Sequence, residues 1–131
     1  MILNTKEKKA LNKYFRDFVI ANKDYFYDDD PEKSTVKKIQ KHENIPFHKS
    51  WEYLMVLIQL IEKKYNIKNI ETQDNYVRFS LGEFDGFQDK GMTKIAAFYS
   101  CCFKTLEILW KENKTPFNYN SHEPFDEFDL K

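Results

Sequence analysis

The chain has 131 residues and a mass of 15.9 kDa, the size of one domain, and its 41% apolar and 17% aromatic content excludes global disorder and supplies a core that needs no metal or disulfide staple. Its 21 Lys and Arg balance 21 Asp and Glu, which argues against a uniformly basic nucleic-acid binder or a polyanion mimic. No run approaches the roughly 20 apolar residues of a spanning helix, and the chain turns charged after three residues without an apolar signal region, so neither membrane insertion nor secretion is expected.

Cys101 and Cys102 are adjacent and cannot staple a framework, which fits a reducing compartment and makes the cytoplasm the expected address. Only Arg16 and Arg78 are arginines, so lysine fills the solvated faces by default and few lysines need be ligands. Local imbalance remains. Lys33, Lys37, Lys38, Lys41 and Lys49 face Glu43 alone within 33 to 49, whereas 113 to 131 carries Glu123, Asp126, Glu127 and Asp129 against Lys114 and Lys131.

Leu11, Tyr14, Phe15, Phe18, Val19 and Asn22 follow the helical period and predict an amphipathic helix over residues 5 to 22. Asn4 with Glu7 three residues on reads as its capping box. Asp24 to Glu32 then form a turn or loop. Asp30-Pro31 opens a short helix over 31 to 42 anchored by Val36 and Ile39, or else part of 35 to 47 adds a strand.

The clearest helix spans 50 to 65. Trp51, Leu54, Met55, Ile58, Ile61 and Tyr65 line one face, Tyr53, Leu57 and Leu60 widen it, and Glu52, Gln59 and Lys63 mark a narrow wet stripe. Ile67 to Glu71 and Tyr76 to Leu81 flank the turn formers Thr72 to Asn75 and predict a β-hairpin with Val77, Phe79 and Leu81 inward. Gly82, Gly86 and Gly91 are the chain's three glycines. Their clustering predicts a shaped loop, where the backbone takes unusual angles or another group approaches closely.

Another helix covers 93 to 112, with Ile95, Phe98, Tyr99, Cys102, Leu106 and Leu109 buried, Cys101 nearer the rim, and Ser100, Lys104, Glu107 and Lys111 wet. Its nearly all-round apolar character asks for cover on two sides, one of which a second protomer would supply in a homodimer; the alternative is a monomer. The expected architecture is an α+β domain over 1 to 112, its small antiparallel sheet packed on two long helices. Residues 113 to 131 form an acidic, aromatic tail.

Catalytic signals are weak. His48, Ser50 and Glu52 stand close in sequence, but Ser50 lies at a helix start without a glycine-flanked elbow and reads as an N-cap. A small hydrolase built on His48 with Asp85 or Asp89 is the least supported reading. His42, His48, His122 and the paired cysteines match no metal spacing, because adjacent helical cysteines diverge by about 100°. Neither metal nor cofactor is expected, and no phosphate-binding glycine motif occurs.

Binding is the stronger lead. Phe84, Asp85, Phe87 and Asp89 of the glycine segment, with Phe117, Tyr119, Phe125 and Phe128 of the tail, are the candidate contacts for a protein partner, since acidic-aromatic segments order as they dock. The alternative for Phe117 and Tyr119 is that they lie back on the chain's own sheet. A nucleic-acid accessory would instead use Lys37, Lys38, Lys41 and Arg78.

His48-Lys49-Ser50-Trp51-Glu52-Tyr53-Leu54-Met55 and Thr93-Lys94-Ile95-Ala96-Ala97-Phe98-Tyr99 resemble segments of a group of small phage- and prophage-associated proteins that carry His-x-Ser-Trp-acid-Trp-Leu-Met-Pro and a later Thr/Ser-Lys-Ile-x-Ala helix. The resemblance covers roughly residues 46 to 110. Tyr53 stands where the group has its second tryptophan, Val56 where it has proline, and Trp110 falls two residues late. That group has no assigned activity; the resemblance implies a non-enzymatic accessory protein of phage or mobile-element origin that binds host or phage machinery.

Overall fold

In the computed structural model, residues 2 to 82 and 86 to 118 are described. The elements run α1 (Thr5–Ala21), a 3-10 turn (Lys23–Tyr25), α2 (Glu32–Lys41), α3 (Trp51–Tyr65), β1 (Asn69–Gln73), β2 (Tyr76–Ser80), β3 (Gly86–Lys90) and α4 (Lys94–Leu109). The fold is α+β, with a three-stranded antiparallel sheet in the order β1-β2-β3.

α1 starts where Asn4 and Glu7 predict. The Glu7 amide donates to Asn4 Oδ1 at 2.8 Å, and the Asn4 amide donates to Glu7 Oε1 at 3.0 Å, so two otherwise unpaired donors are satisfied. α2 is a helix, and no strand forms over 35 to 47. Val36 and Ile39 drive one face into the core, while Arg16 on α1 holds the far end. Its Nε donates to Ile39 O at 3.0 Å and His42 O at 2.7 Å, and its Nη2 to Gln40 O at 3.1 Å, so a cation meets the negative end of the helix dipole.

The missing strand lies further on. Residues 86 to 90, expected as loop, pair with β2 in the register Val77↔Asp89 and Phe79↔Phe87. None of the three glycines adopts a positive φ; at Gly86 and Gly91, absence of a side chain permits close approach. A Cβ on Gly86 would sit 2.8 Å from Arg78 Nε, and one on Gly91 would sit 2.8 Å from the Ala97 nitrogen and 2.9 Å from Ala96 Cβ. Gly91 therefore lets β3 turn directly into α4, whose first turn Thr93 caps by accepting from the Ala96 amide at 3.2 Å. The hairpin turn is tighter than expected, just Asp74 and Asn75, with Asp74 left-handed at φ 53°.

α4 is buried without a break from Ala97 to Phe103 and again at Thr105 and Leu106, nearly two turns facing every direction. β2 and β3 cover one side and α3 another, and Tyr14 of α1 packs on Phe103 at 6.2 Å between ring centroids. Its own chain supplies the cover that α4 demands. Ser100, expected wet, is buried, and Cys101, expected near the rim, is 0% exposed. Its thiol reaches Phe87 O at 3.2 Å. Burial pushes Cys101 up to about 12, with Asp89 adding to the shift; a thiol so held is not a nucleophile.

Trp51 and Met55, expected in the core, are each 40% exposed. α3 buries Leu54, Val56, Leu57, Ile58, Leu60 and Ile61 instead, which turns Trp51 edge-on to Phe98 at 5.4 Å. Phe117 packs on Phe103 at 5.0 Å, so the core extends past residue 112.

Two substitutions test this packing. Gly91→Ala forces a methyl into the first turn of α4 and should cost about 1–3 kcal/mol, whereas Gly82→Ala, where a Cβ meets nothing within 4 Å, should leave Tm nearly unchanged. Phe117→Ala should cost about 1–2 kcal/mol of lost burial; an unaltered Tm would mean that Phe117 adds nothing to the core.

Candidate functional site

α1 presents different chemistry around its circumference. Leu11, Phe15 and Phe18 enter the core, while Lys6, Lys9, Lys13 and Arg16 recur at three- and four-residue intervals and form a basic stripe. Asn12 sits between these faces, buried although polar. Opposite runs the segment from His42 to Ser50. Ile45 and Phe47 are its buried plugs, and the tight turn between them, with Phe47 N donating to Ile45 O at 2.9 Å, swings His48 towards α1.

There three side chains from distant parts of the sequence meet. The Tyr99 hydroxyl of α4 donates to Asn12 Oδ1 at 2.9 Å, so the amide side of Asn12 faces His48. Asn12 Nδ2 lies 3.0 Å from His48 Nδ1. An amide nitrogen only donates, so Nδ1 is the acceptor and the imidazole carries its proton on Nε2. The Tyr99 ring also meets the imidazole edge-on, 6.1 Å between centroids. His48 is held below its ordinary value, first by burial and then by Lys8 and Lys49, so at neutral pH the ring is uncharged and Nε2–H is its remaining polar atom.

His48 lines a cavity of about 360 Å³ whose wall includes Thr5, Lys8, Lys9, Lys13 and Lys49. Among the described residues Glu43 is the single acid there. An adjoining hollow of about 440 Å³ shares Lys9, Lys13, Glu43 and Asn44 and adds Lys6 and Arg16. Together they form a basic trough between α1 and residues 43 to 49. Such a surface attracts anions, and a neutral N–H donor at its wall orients one.

The candidate contacts read from sequence lie elsewhere. Phe87 is half-buried against the core, and Asp89 is only 7% exposed, its Oδ1 accepting from the Lys90 amide at 2.8 Å. Phe117 lies on the chain's own core, as described above. Phe84, Asp85, Tyr119, Phe125 and Phe128 lie outside the described residues. Lys37, Lys38 and Lys41 are exposed on α2, and Lys38 pairs with Glu52 at 2.8 Å. Arg78 stands on the sheet, in register with Glu71 and Gln88. Since α2 packs on α1 and α3 while β2 packs on α4, these four cations occupy different layers.

Ser50 takes the N-cap position of α3, but its side chain makes no capping bond. Nor do His48, Ser50 and Glu52 assemble. The hydrogen-bond partner of His48 is Asn12, and Glu52 pairs with Lys38. Among the described residues no three His, Cys, Asp or Glu side chains gather to hold a metal ion, and no helix is long and apolar enough to cross a membrane. Asn12, Tyr99 and Lys8, Lys9 and Lys13 are the functional candidates that motif reasoning missed. The basic stripe of Lys6, Lys9, Lys13 and Arg16 was the available signal.

The lowered His48 value has a definite sign. In the unfolded chain His48 protonates near its ordinary value of about 6.5, but the fold delays protonation to lower pH. Between those two values the folded state binds fewer protons, so stability falls as pH drops through that window. His48 should titrate below 6.5 by NMR, and His48→Gln should flatten the loss of Tm as pH falls below 6.5; a His48 value above 6.5 contradicts this environment.

No protein-family model matches the chain, nor does any curated protein or solved structure.

Proposed function

We propose that this protein is a non-enzymatic accessory protein that captures a partner protein through an anionic group seated in the basic trough between α1 and residues 43 to 49. The observation that carries the reading is the Tyr99–Asn12–His48 chain at the wall of a hollow ringed by four lysines and one acid. The hydrogen bonds fix the imidazole as a neutral donor. That suits recognition better than acid-base turnover, because Nδ1 is already occupied and the ring is oriented by an amide, not a carboxylate. Two buried free thiols fit a cytoplasmic setting, and the resemblance of His48 to Met55 and Thr93 to Tyr99 supports a phage or mobile-element origin.

A protein partner is favoured over nucleic acid because, among the described residues, His48 is the one aromatic side chain lining the trough and its ring is already packed edge-on to Tyr99, so the trough offers no row of aromatic faces on which successive bases stack. Neutral net charge points the same way. The two readings separate by experiment. Affinity capture from a cognate lysate with the full chain should retain a protein that survives nuclease, and Lys9→Glu with Lys13→Glu, both exposed, should abolish it without lowering Tm. Capture that vanishes with nuclease, with affinity for an oligonucleotide falling steeply as salt rises, would establish the nucleic-acid reading instead. Capture that ignores the charge reversal would place the contact elsewhere.

A further inference from the structure

We infer that the hollow beside His48 is a receptor for a phosphate monoester dianion, held by His48 Nε2–H and the ammonium groups of Lys8, Lys9 and Lys49. This rests on the trough being the binding surface and names the chemistry of its occupant.

Charge selects the dianion. Lys8, Lys9 and Lys49 line the hollow against Glu43, while Lys13 beside them pairs with Asp17 at 3.4 Å, and the remaining cationic surplus favours two negative charges over the single charge of a carboxylate. The donor types agree. The nearby guanidinium, Arg16, spends Nε and Nη2 on three carbonyls of the α2 end, so the flat fork that pairs best with a carboxylate is engaged elsewhere. What remains is a set of ammonium point charges and one directed N–H, which suits oxygens disposed around a tetrahedral centre.

Preorganisation supports the same assignment. A neutral imidazole free to exchange tautomers offers its donor only part of the time. Asn12, itself oriented by Tyr99, keeps the proton on Nε2. About 360 Å³ is near the lower end of small-ligand pockets, which begin at about 300 Å³. A phosphorylated side chain on a partner protein and a small phosphorylated molecule share this headgroup, and the test distinguishes them.

The full-length protein, labelled with 15N, is titrated at constant ionic strength with inorganic phosphate, O-phospho-L-serine, acetate, and a phosphoserine peptide alongside its unphosphorylated form. Phosphate and phosphoserine should shift the Thr5, Lys9 and Lys49 amides and the His48 ring together and saturably. Acetate should not. Lys9→Glu with Lys49→Glu should weaken phosphoserine binding about tenfold or more. The His48 ring nitrogens should report the Nε2–H tautomer, and Tyr99→Phe should erode both that tautomer and phosphoserine affinity. Equal response to acetate and phosphate overturns the phosphate assignment while leaving the trough as an anion site. No response to any anion overturns both, as does an Nδ1–H tautomer for the assigned donor. Binding of the phosphopeptide well above free phosphoserine identifies a phosphorylated partner protein, and equal affinity identifies a small phosphorylated molecule.

Discussion

One constraint organises this molecule. α4 is buried in every direction from Ala97 to Phe103, yet a three-stranded sheet offers one apolar face and covers one side of a helix. The other sides must be closed by helices, and α1 and α3 do so. This sandwich brings α4 against α1, and because Tyr99 lies on that side, packing the core also delivers a hydroxyl to Asn12. The shape of the trough is thus tied to the burial of α4.

Where that burial takes in Asn12, a chain of hydrogen bonds satisfies its amide. An unpaired amide in the interior costs about 1–3 kcal/mol, so Asn12 in the middle of α1 needs partners for both its oxygen and its nitrogen. Tyr99 takes one and His48 the other. The arrangement also explains why His48 is better neutral. Burial disfavours the charged ring first, its Nδ1 is committed to an amide donor, and Lys8 and Lys49 oppose a further positive charge nearby. The fold keeps the imidazole uncharged, while the lysines supply charge at the rim, where water and salt still reach them.

Local rules were legible in the sequence; long-range assembly was not. The Asn4–Glu7 box, the long helices and the hairpin follow from spacing within a few residues, and the structure places them within a few residues of expectation. Trp51 misled because α3 is apolar around most of its circumference, so its period does not say which apolar residues face out. β3 was hidden behind its glycines, which signal loops by frequency but here leave clear the space that a Cβ would need beside Arg78 and α4. Cys101 and Ser100 read as rim residues for as long as α4 is imagined against one surface. The Tyr99–Asn12–His48 chain left no motif, since its members lie 36 and 87 residues apart. Phe87, Asp89 and Phe117 were chosen for polarity and aromaticity, and the strand alternation and the packing on Phe103 turned them towards the protein itself.

Zero net charge and a basic trough are compatible because screening makes charge a local property. At physiological ionic strength the Debye length is about 8 Å, so the acids of Asp28, Asp29 and Asp30, which lie beyond α1's far end, scarcely offset Lys9 or Lys13. What governs an approaching anion is the charge within about one such length of the hollow, where the lysines outnumber Glu43 and the Asp17 that pairs with Lys13. A neutral protein of this kind repels few partners at long range and discriminates at short range, where direction matters. The lysines provide attraction without geometry, and His48, locked through Asn12 to Tyr99, provides geometry without charge.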